Sequence, residues 1–286
     1  MGDLIPLSPI AIAPDALIRR VGTADLPVLF DVRRRAVFDA DPTVLPTAMW
    51  RDHQTARDWG KALDPAQRVV VYCAHGHQVS HSAAALLRSL GLDAYFLDGG
   101  IEAWRAAGGP TIRKAGQPNR SEDVPSQWVT RERPKIDRIA CPWFIRRFVD
   151  RDALIHYVPK EWIVEAAKEM GAIPFDIPDV DFSHVGEACS FDAFLDRFGV
   201  ADPAMLRLAE IVRGADTARL DLAPQASGLL AMSLGLSAIH ASDEAMFERG
   251  MTLYDALYGW CRFAAEETHN WPVPAPGSAD AREYRA

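Results

Sequence analysis

Val69-Val70-Val71-Tyr72-Cys73 is a run of β-branched and aromatic residues that ends in a thiol. The segment Ala74-His75-Gly76-His77-Gln78-Val79 then separates it from an Ala/Leu-rich stretch through Leu90. The pattern predicts a buried strand, a short loop and a helix. It places Cys73 at the carboxyl end of the strand, facing the amino end of the helix. Unpaired backbone N–H groups and the helix dipole favour a thiolate there. A thiolate so placed is a nucleophile able to carry a covalent intermediate. The plainer alternative is a buried, inert cysteine.

A second set of chemistry-bearing residues lies further on. If Pro142 is the first residue of a helix, Cys141 stands near its N-cap, where the dipole with Arg138 and Arg146 would favour a thiolate. The alternative is a buried cap-region cysteine. His184, Glu187 and Cys189 fall close together on an expected loop. With Cys141 and Asp216 they offer N, S and O donors suited to zinc or another borderline metal. Neither Cys-x-x-Cys nor His-Glu-x-x-His occurs, so residue types rather than spacing carry that expectation. A loop whose His and Glu are simply solvated is the other reading. His240 is expected beyond a helix end as a dipole partner, and Trp143, Trp162 and Trp260 are expected in the core.

The elements that position these groups divide the 286 residues into two parts. Residues 1–112 alternate strand and helix patterns, which argues for a parallel sheet flanked by helices in an α/β fold. Residues 113–132 are rich in Lys, Arg, Gly, Pro, Asn, Ser and Glu and read as a linker. Residues 133–269 read as a mostly helical second domain with little strand. Its expected elements are a strand near 153–158 and helices near 160–170, 190–198, 203–213, 223–236 and 243–267, with an extended Pro-rich stretch at 173–182. Residues 270–286 read as a loose tail.

Hydrophobic residues make up 49% and charged residues 24%, a soluble globular balance. No apolar run reaches membrane-spanning length, and no basic stretch precedes an apolar one at the amino terminus. Four cysteines do not suggest a disulfide framework, so a reducing cytoplasm is expected. The net charge of −8 is uneven: residues 1–120 carry +2 and residues 121–286 carry −10. The acidic second half disfavours DNA as a partner, although Arg131, Arg133, Lys135, Arg138, Arg146 and Arg147 cluster.

The first part resembles the rhodanese family of sulfurtransferases. The resemblance is carried by Pro27-Val28-Leu29-Phe30-Asp31-Val32-Arg33, by the Cys73 loop, and by Leu97-Asp98-Gly99-Gly100-Ile101-Glu102-Ala103-Trp104, in family order over about residues 14–110. It implies a persulfide chemistry at Cys73, with residues 74–79 as the substrate-binding loop and Asp31 and Arg33 as a supporting ion pair. The loop departs from the common active pattern. Gln78 stands where an Arg is usual and Val79 where Ser is common, while His75 and His77 lie inside. Two imidazoles and an amide give a weaker, pH-dependent grip on an oxyanion than a guanidinium fork.

The second part resembles the chromate-resistance domain family. Arg133-Pro134-Lys135-Ile136-Asp137-Arg138-Ile139-Ala140-Cys141-Pro142-Trp143 carries this likeness. So do Phe182-Ser183-His184, Glu187, Cys189-Ser190-Phe191, Ile211-Val212-Arg213-Gly214-Ala215-Asp216 and Leu253-Tyr254-Asp255-Ala256-Leu257. It implies a role in chromate sensing or tolerance and supplies no reaction.

Three functions follow as expectations. The first is a sulfurtransferase or persulfide carrier using Cys73 and acting in chromate or oxyanion tolerance. Its partners would be a small sulfur donor or oxyanion, such as thiosulfate or chromate, and a thiol acceptor; it requires no cofactor for sulfur transfer. The second is a non-enzymatic oxyanion sensor. The third is a metal-dependent redox protein centred on Cys141, His184 and Cys189.

Overall fold

A computed structural model describes residues 8–118 and 124–267. The tail expected at 270–286 lies outside the described residues, as does the middle of the expected linker. In chain order the first part comprises β1 (Ala11–Ile12), α1 (Pro14–Ile18), β2 (Val28–Asp31), α2 (Arg35–Ala40), β3 (Thr43–Val44), β4 (Met49–Trp50), α3 (Ala56–Gly60), β5 (Arg68–Tyr72), α4 (Gln78–Ser89), β6 (Asp93–Leu97), α5 (Gly100–Ala106) and β7 (Ile112–Arg113). Five of these strands form a parallel sheet in the order β1-β6-β5-β2-β4. The alternation along β5 explains why the sheet is covered twice. Val69 and Val71 face one apolar cluster, with Phe30, Ala84 and Leu87, while Val70 and Tyr72 face another.

The second part comprises β8 (Gln127–Arg131), α6 (Asp137–Phe144), β9 (Leu154–Val158), α7 (Ile163–Met170), β10 (Ile173–Pro174), α8 (Ser190–Phe198), α9 (Pro203–Asp216), α10 (Ala226–Ile239) and α11 (Asp243–Phe263). It is mostly helical around a small parallel sheet of order β10-β8-β9. Gly171 and Gly199 adopt left-handed conformations that end α7 and α8, as expected of glycine after a helix.

The linker expectation fails at 127–131. Those residues form β8, the central strand of the second sheet, with Trp128, Val129 and Thr130 buried. The polar residues before it masked a short apolar strand. The two parts also share one core. Leu17, Ile101 and Trp104 belong to the same buried cluster as Trp128, Phe148 and Tyr258, and the Thr47 N–H donates to the Phe148 carbonyl at 2.7 Å.

Pro142 does not begin a helix. α6 starts five residues earlier, and Pro142 lies inside it. A proline there leaves the carbonyl of residue 138 without its helical donor. The Tyr157 hydroxyl, reaching in from β9, donates to the Arg138 carbonyl at 3.2 Å and fills the vacancy. Trp162 is another departure: it is exposed, whereas Trp143 is buried and Trp260 partly so.

Candidate functional site

Cys73 follows β5, and α4 begins at Gln78 after a five-residue loop. The thiol is buried, and its Sγ lies 3.2 Å from the Ser80 hydroxyl, which also donates to the His77 carbonyl at 3.1 Å. Ser80 was not singled out by sequence. It sits one turn into α4, and only the loop's closure brings it to the sulfur.

The loop is held from outside. The N–H groups of Ile101 and Glu102, at the start of α5, donate to the carbonyls of Cys73 and Ala74 at 3.0 and 3.1 Å. This approach is possible only because Gly76 and Gly100 lack side chains. A Cβ on Gly76 would overlap the Gly99 nitrogen, and one on Gly100 would overlap the Cys73 carbonyl oxygen. Both have positive φ, +63° and +60°, which glycine adopts freely. The Gly-Gly turn therefore shapes the cysteine loop. The Cys73 and Ala74 carbonyls turn to α5 and the His77 carbonyl to α4, while no backbone N–H from Ala74 to Val79 has an acceptor among the described residues. The thiol's hydrogen-bond partner is the Ser80 hydroxyl, and the amino end of α4 supplies positive partial charge near it. His75, His77 and Gln78 are exposed on the loop, and the two imidazole centroids are 5.9 Å apart. Val79 is partly exposed.

Asp31 and Arg33 form the expected pair, fully buried. Arg33 donates through Nε and Nη2 to the Asp31 carboxylate at 2.8 and 2.5 Å, and through Nη1 to Asp41 at 2.7 Å. Arg105 completes the network with a 2.7 Å bond to Asp41. Burial works to raise the Asp41 pKa, but the Thr43 N–H and Arg105 outweigh it and hold the carboxyl down to about 2. The network ties β2, the chain before β3, and α5 together beneath the cysteine loop. Tyr72, one residue before Cys73, lies within 5.9 Å of the Arg33 guanidinium.

The second set is arranged differently from the expectation. His184 Nε2 lies 3.2 Å from Asp137, 3.4 Å from Asp176 and 3.4 Å from Asp216. One ligand atom each from Asp137, His184 and Asp216 falls within 4.8 Å of the others. Asp176 is oriented by Ser190, Arg131 and Arg138 at 3.0, 2.7 and 3.2 Å. The expected residues His184 and Asp216 thus converge. Glu187 does not join them; it is exposed and paired with Arg219 at 2.7 Å.

Cys141 and Cys189 are also outside this group of ligand atoms. Cys141 sits inside α6 rather than at its N-cap. Burial, then the Asp137 charge, pushes its thiol well above the ordinary range. The expected thiolate is therefore corrected, because carboxylates rather than arginines face it. Cys189 is buried at the N-cap of α8, and burial raises its pKa too. Asp137 and Asp176 were missed by sequence. A lone acid in the apolar run Ile136-Asp137-Arg138-Ile139-Ala140-Cys141 was the available signal, since an unpaired charge is costly to bury.

Burial raises the Asp216 pKa to about 8, with the Asp137 charge next in effect. The hydrogen bond that His184 donates to the Asp137 carboxylate raises the imidazole to about 9. Without a metal, the imidazolium and the arginines balance the carboxylates. A divalent cation could replace the imidazolium proton, and one N and two O donors suit a borderline transition ion.

Comparison with known proteins follows the same division. The rhodanese-like domain model matches residues 13–107, and the ChrB C-terminal domain model matches residues 128–261. Protein ChrB of Cupriavidus metallidurans is 32% identical over 133 residues, which is 46% of this chain and 40% of that protein. The chain thus spans less than half the length of that relative. Thiosulfate sulfurtransferase GlpE of Pseudomonas savastanoi pv. phaseolicola is 39% identical over 80 residues, covering 28% of this chain and 73% of GlpE. A solved rhodanese-related protein from Thermoplasma volcanium superimposes with a TM-score of 0.32 and 25% identity, covering 36% of this chain and 96% of that one.

Proposed function

Because the chain belongs to the rhodanese-like family over residues 13–107 and to the ChrB C-terminal domain family over residues 128–261, we propose that it is a persulfide-forming sulfurtransferase serving chromate or oxyanion tolerance. The observation that carries this reading is the Cys73 loop, docked on α5 at the amino end of α4, with backbone N–H groups that have no acceptor among the described residues.

The Cys73 thiolate attacks the outer sulfur of a small donor such as thiosulfate. A new S–S bond forms as the donor's S–S bond breaks, and sulfite leaves with the electron pair. The persulfide anion is stabilised by the loop N–H groups and the amino end of α4, and the Ser80 hydroxyl lies within hydrogen-bonding reach of Sγ. The parent thiol is only 7% exposed, which suits a small donor. The persulfide's outer sulfur lies about 2 Å further out, where an acceptor thiolate attacks it and releases the Cys73 thiolate.

The test is the intact mass of the denatured protein after exposure to thiosulfate. Addition of one sulfur atom, reversed by a small thiol and absent from Cys73→Ser, is expected. An unchanged mass with thiosulfate and with a mercaptopyruvate would overturn the reading and favour the oxyanion sensor.

A second reading concerns the other domain. We infer that Asp137, His184 and Asp216 hold a divalent transition metal ion, zinc or a neighbour in the series. It is supported by the convergence of their ligand atoms. Metal content after purification without added metals tests it: a stoichiometric ion lost in Asp216→Ala is expected, and a metal-free, folded, chelator-insensitive protein removes it.

A further inference from the structure

Helix α10 is uncharged on its outer as well as its inner side. Its buried positions are Ala226, Leu229, Ser233 and Ser237, whereas Met232, Leu234 and Ile239 are 56, 49 and 74% exposed. No charged residue occurs from Leu222 to Ile239. An amphipathic surface helix keeps its outer side polar. The inward serines are short and bring α10 close to the rest of the fold.

The helix is nevertheless firmly placed. Arg133 caps its carboxyl end, donating to the carbonyls of Ser237, His240 and Ala241 at 2.5, 3.2 and 3.1 Å. Its outward face is therefore preformed rather than a frayed segment. At 14 residues it is also too short to span a membrane, and no described helix is long and apolar enough to do so.

α10 runs antiparallel to α11. The two are joined through residues 240–242, and at the other end Pro224 and Gln225 line a cavity with Trp260 and Ala265. α11 adds the exposed positions Thr252, Ala256 and Phe263. A 14-residue helix is roughly 21 Å long and 10 Å wide, so its outer half offers about 300–400 Å². One helix falls short of the ~800 Å² per partner that stable association needs, and two come near it. α10 carries no charge, so it meets a two-fold copy of itself without like-charge repulsion and offers a charged partner nothing to pair with; on α11 the exposed Glu248 and Arg249 are of opposite sign.

We propose that the α10–α11 face docks a second copy of this chain, forming a symmetric four-helix contact. Sedimentation equilibrium of the full chain tests it, beside Leu234→Glu and Ala256→Lys. The wild type is expected to be a dimer at micromolar concentration. Each substitution should raise the dissociation constant at least about tenfold, with the circular dichroism spectrum unchanged. A monomeric wild type overturns the proposal, whether the face is then found on anionic lipid vesicles or covered by residues 268–286. A dimer unaffected by either charge, with both variants folded, also overturns it.

Discussion

The carbonyl oxygen of Cys73 lies against the α-carbon of Gly100, leaving no room for a methyl group between them. The same oxygen accepts the Ile101 N–H at 3.0 Å. The Cys73 carbonyl is thus the dock for α5, and the Gly-Gly turn is a loop-shaping device as much as a helix start.

Gly100→Ala is expected to push the cysteine loop off α5. The site requires positive φ as well as space, so a destabilisation of about 1–3 kcal/mol is expected from strain of this kind. Persulfide formation should fall more than stability does, because the displaced loop carries Cys73 away from Ser80 and the amino end of α4. Comparing the unfolding midpoint with the rate of sulfur addition by mass spectrometry checks both. A variant that transfers sulfur at the parent rate would show that the docking has no catalytic consequence.

Gln78→Arg should strengthen thiosulfate turnover. Gln78 is exposed at the first position of α4, so an arginine there meets little steric cost. Charge-assisted hydrogen bonds to an anion contribute about 1.5–3 kcal/mol, or roughly a 10- to 100-fold gain in kcat/KM if formed in the transition state. Steady-state sulfite release measures it. No gain would mean that the native donor is not an oxyanion gripped from that position.

The cysteine loop was legible because it depends on chain-local signals. The unbroken apolar run Val69–Tyr72 marks a strand covered on both faces, and the short loop to α4 fixes where Cys73 must lie. The Asp31–Arg33 pair was expected only from the resemblance to the rhodanese family, and the structure forms it. Ser80 was not, since it meets the thiol only after the loop closes. The second site was half legible. His184 and Asp216 meet Asp137 and Asp176 through α6, α9 and the loops around β10, and no local spacing encodes that convergence. Pro142 misled because its usual place is a helix start, and only Tyr157, far along the chain, makes an interior position tolerable.

Tyr157→Phe should expose that dependence. The substitution keeps the ring but removes the donor to the Arg138 carbonyl, leaving a partly buried acceptor unpaired. A loss of about 1–3 kcal/mol is expected, read as a lower urea midpoint. Tyr157→Phe combined with Pro142→Ala should recover part of it, because residue 142 regains an N–H. Equal losses with and without the proline would separate the hydroxyl from the helix.

His184 gives the pH dependence a definite sign. Its folded pKa is raised to about 9, first by the Asp137 hydrogen bond, from about 6.5 in an unfolded chain. The folded state therefore binds this proton more tightly. The resulting stability is fully present below about pH 6.5 and is lost as pH rises through about 9. Chelator-treated protein should show a urea midpoint that declines across that window, with Asp216, raised to about 8, adding to the decline below that pH, and His184→Ala should shrink the decline between about pH 8 and 9 most. Metal binding runs the other way. The imidazole must shed its proton to ligate, so zinc affinity should rise across the same interval. With zinc present the downward slope should shrink or reverse. A midpoint insensitive to pH in the chelated protein would show that His184 does not carry the proton that its three carboxylate neighbours favour.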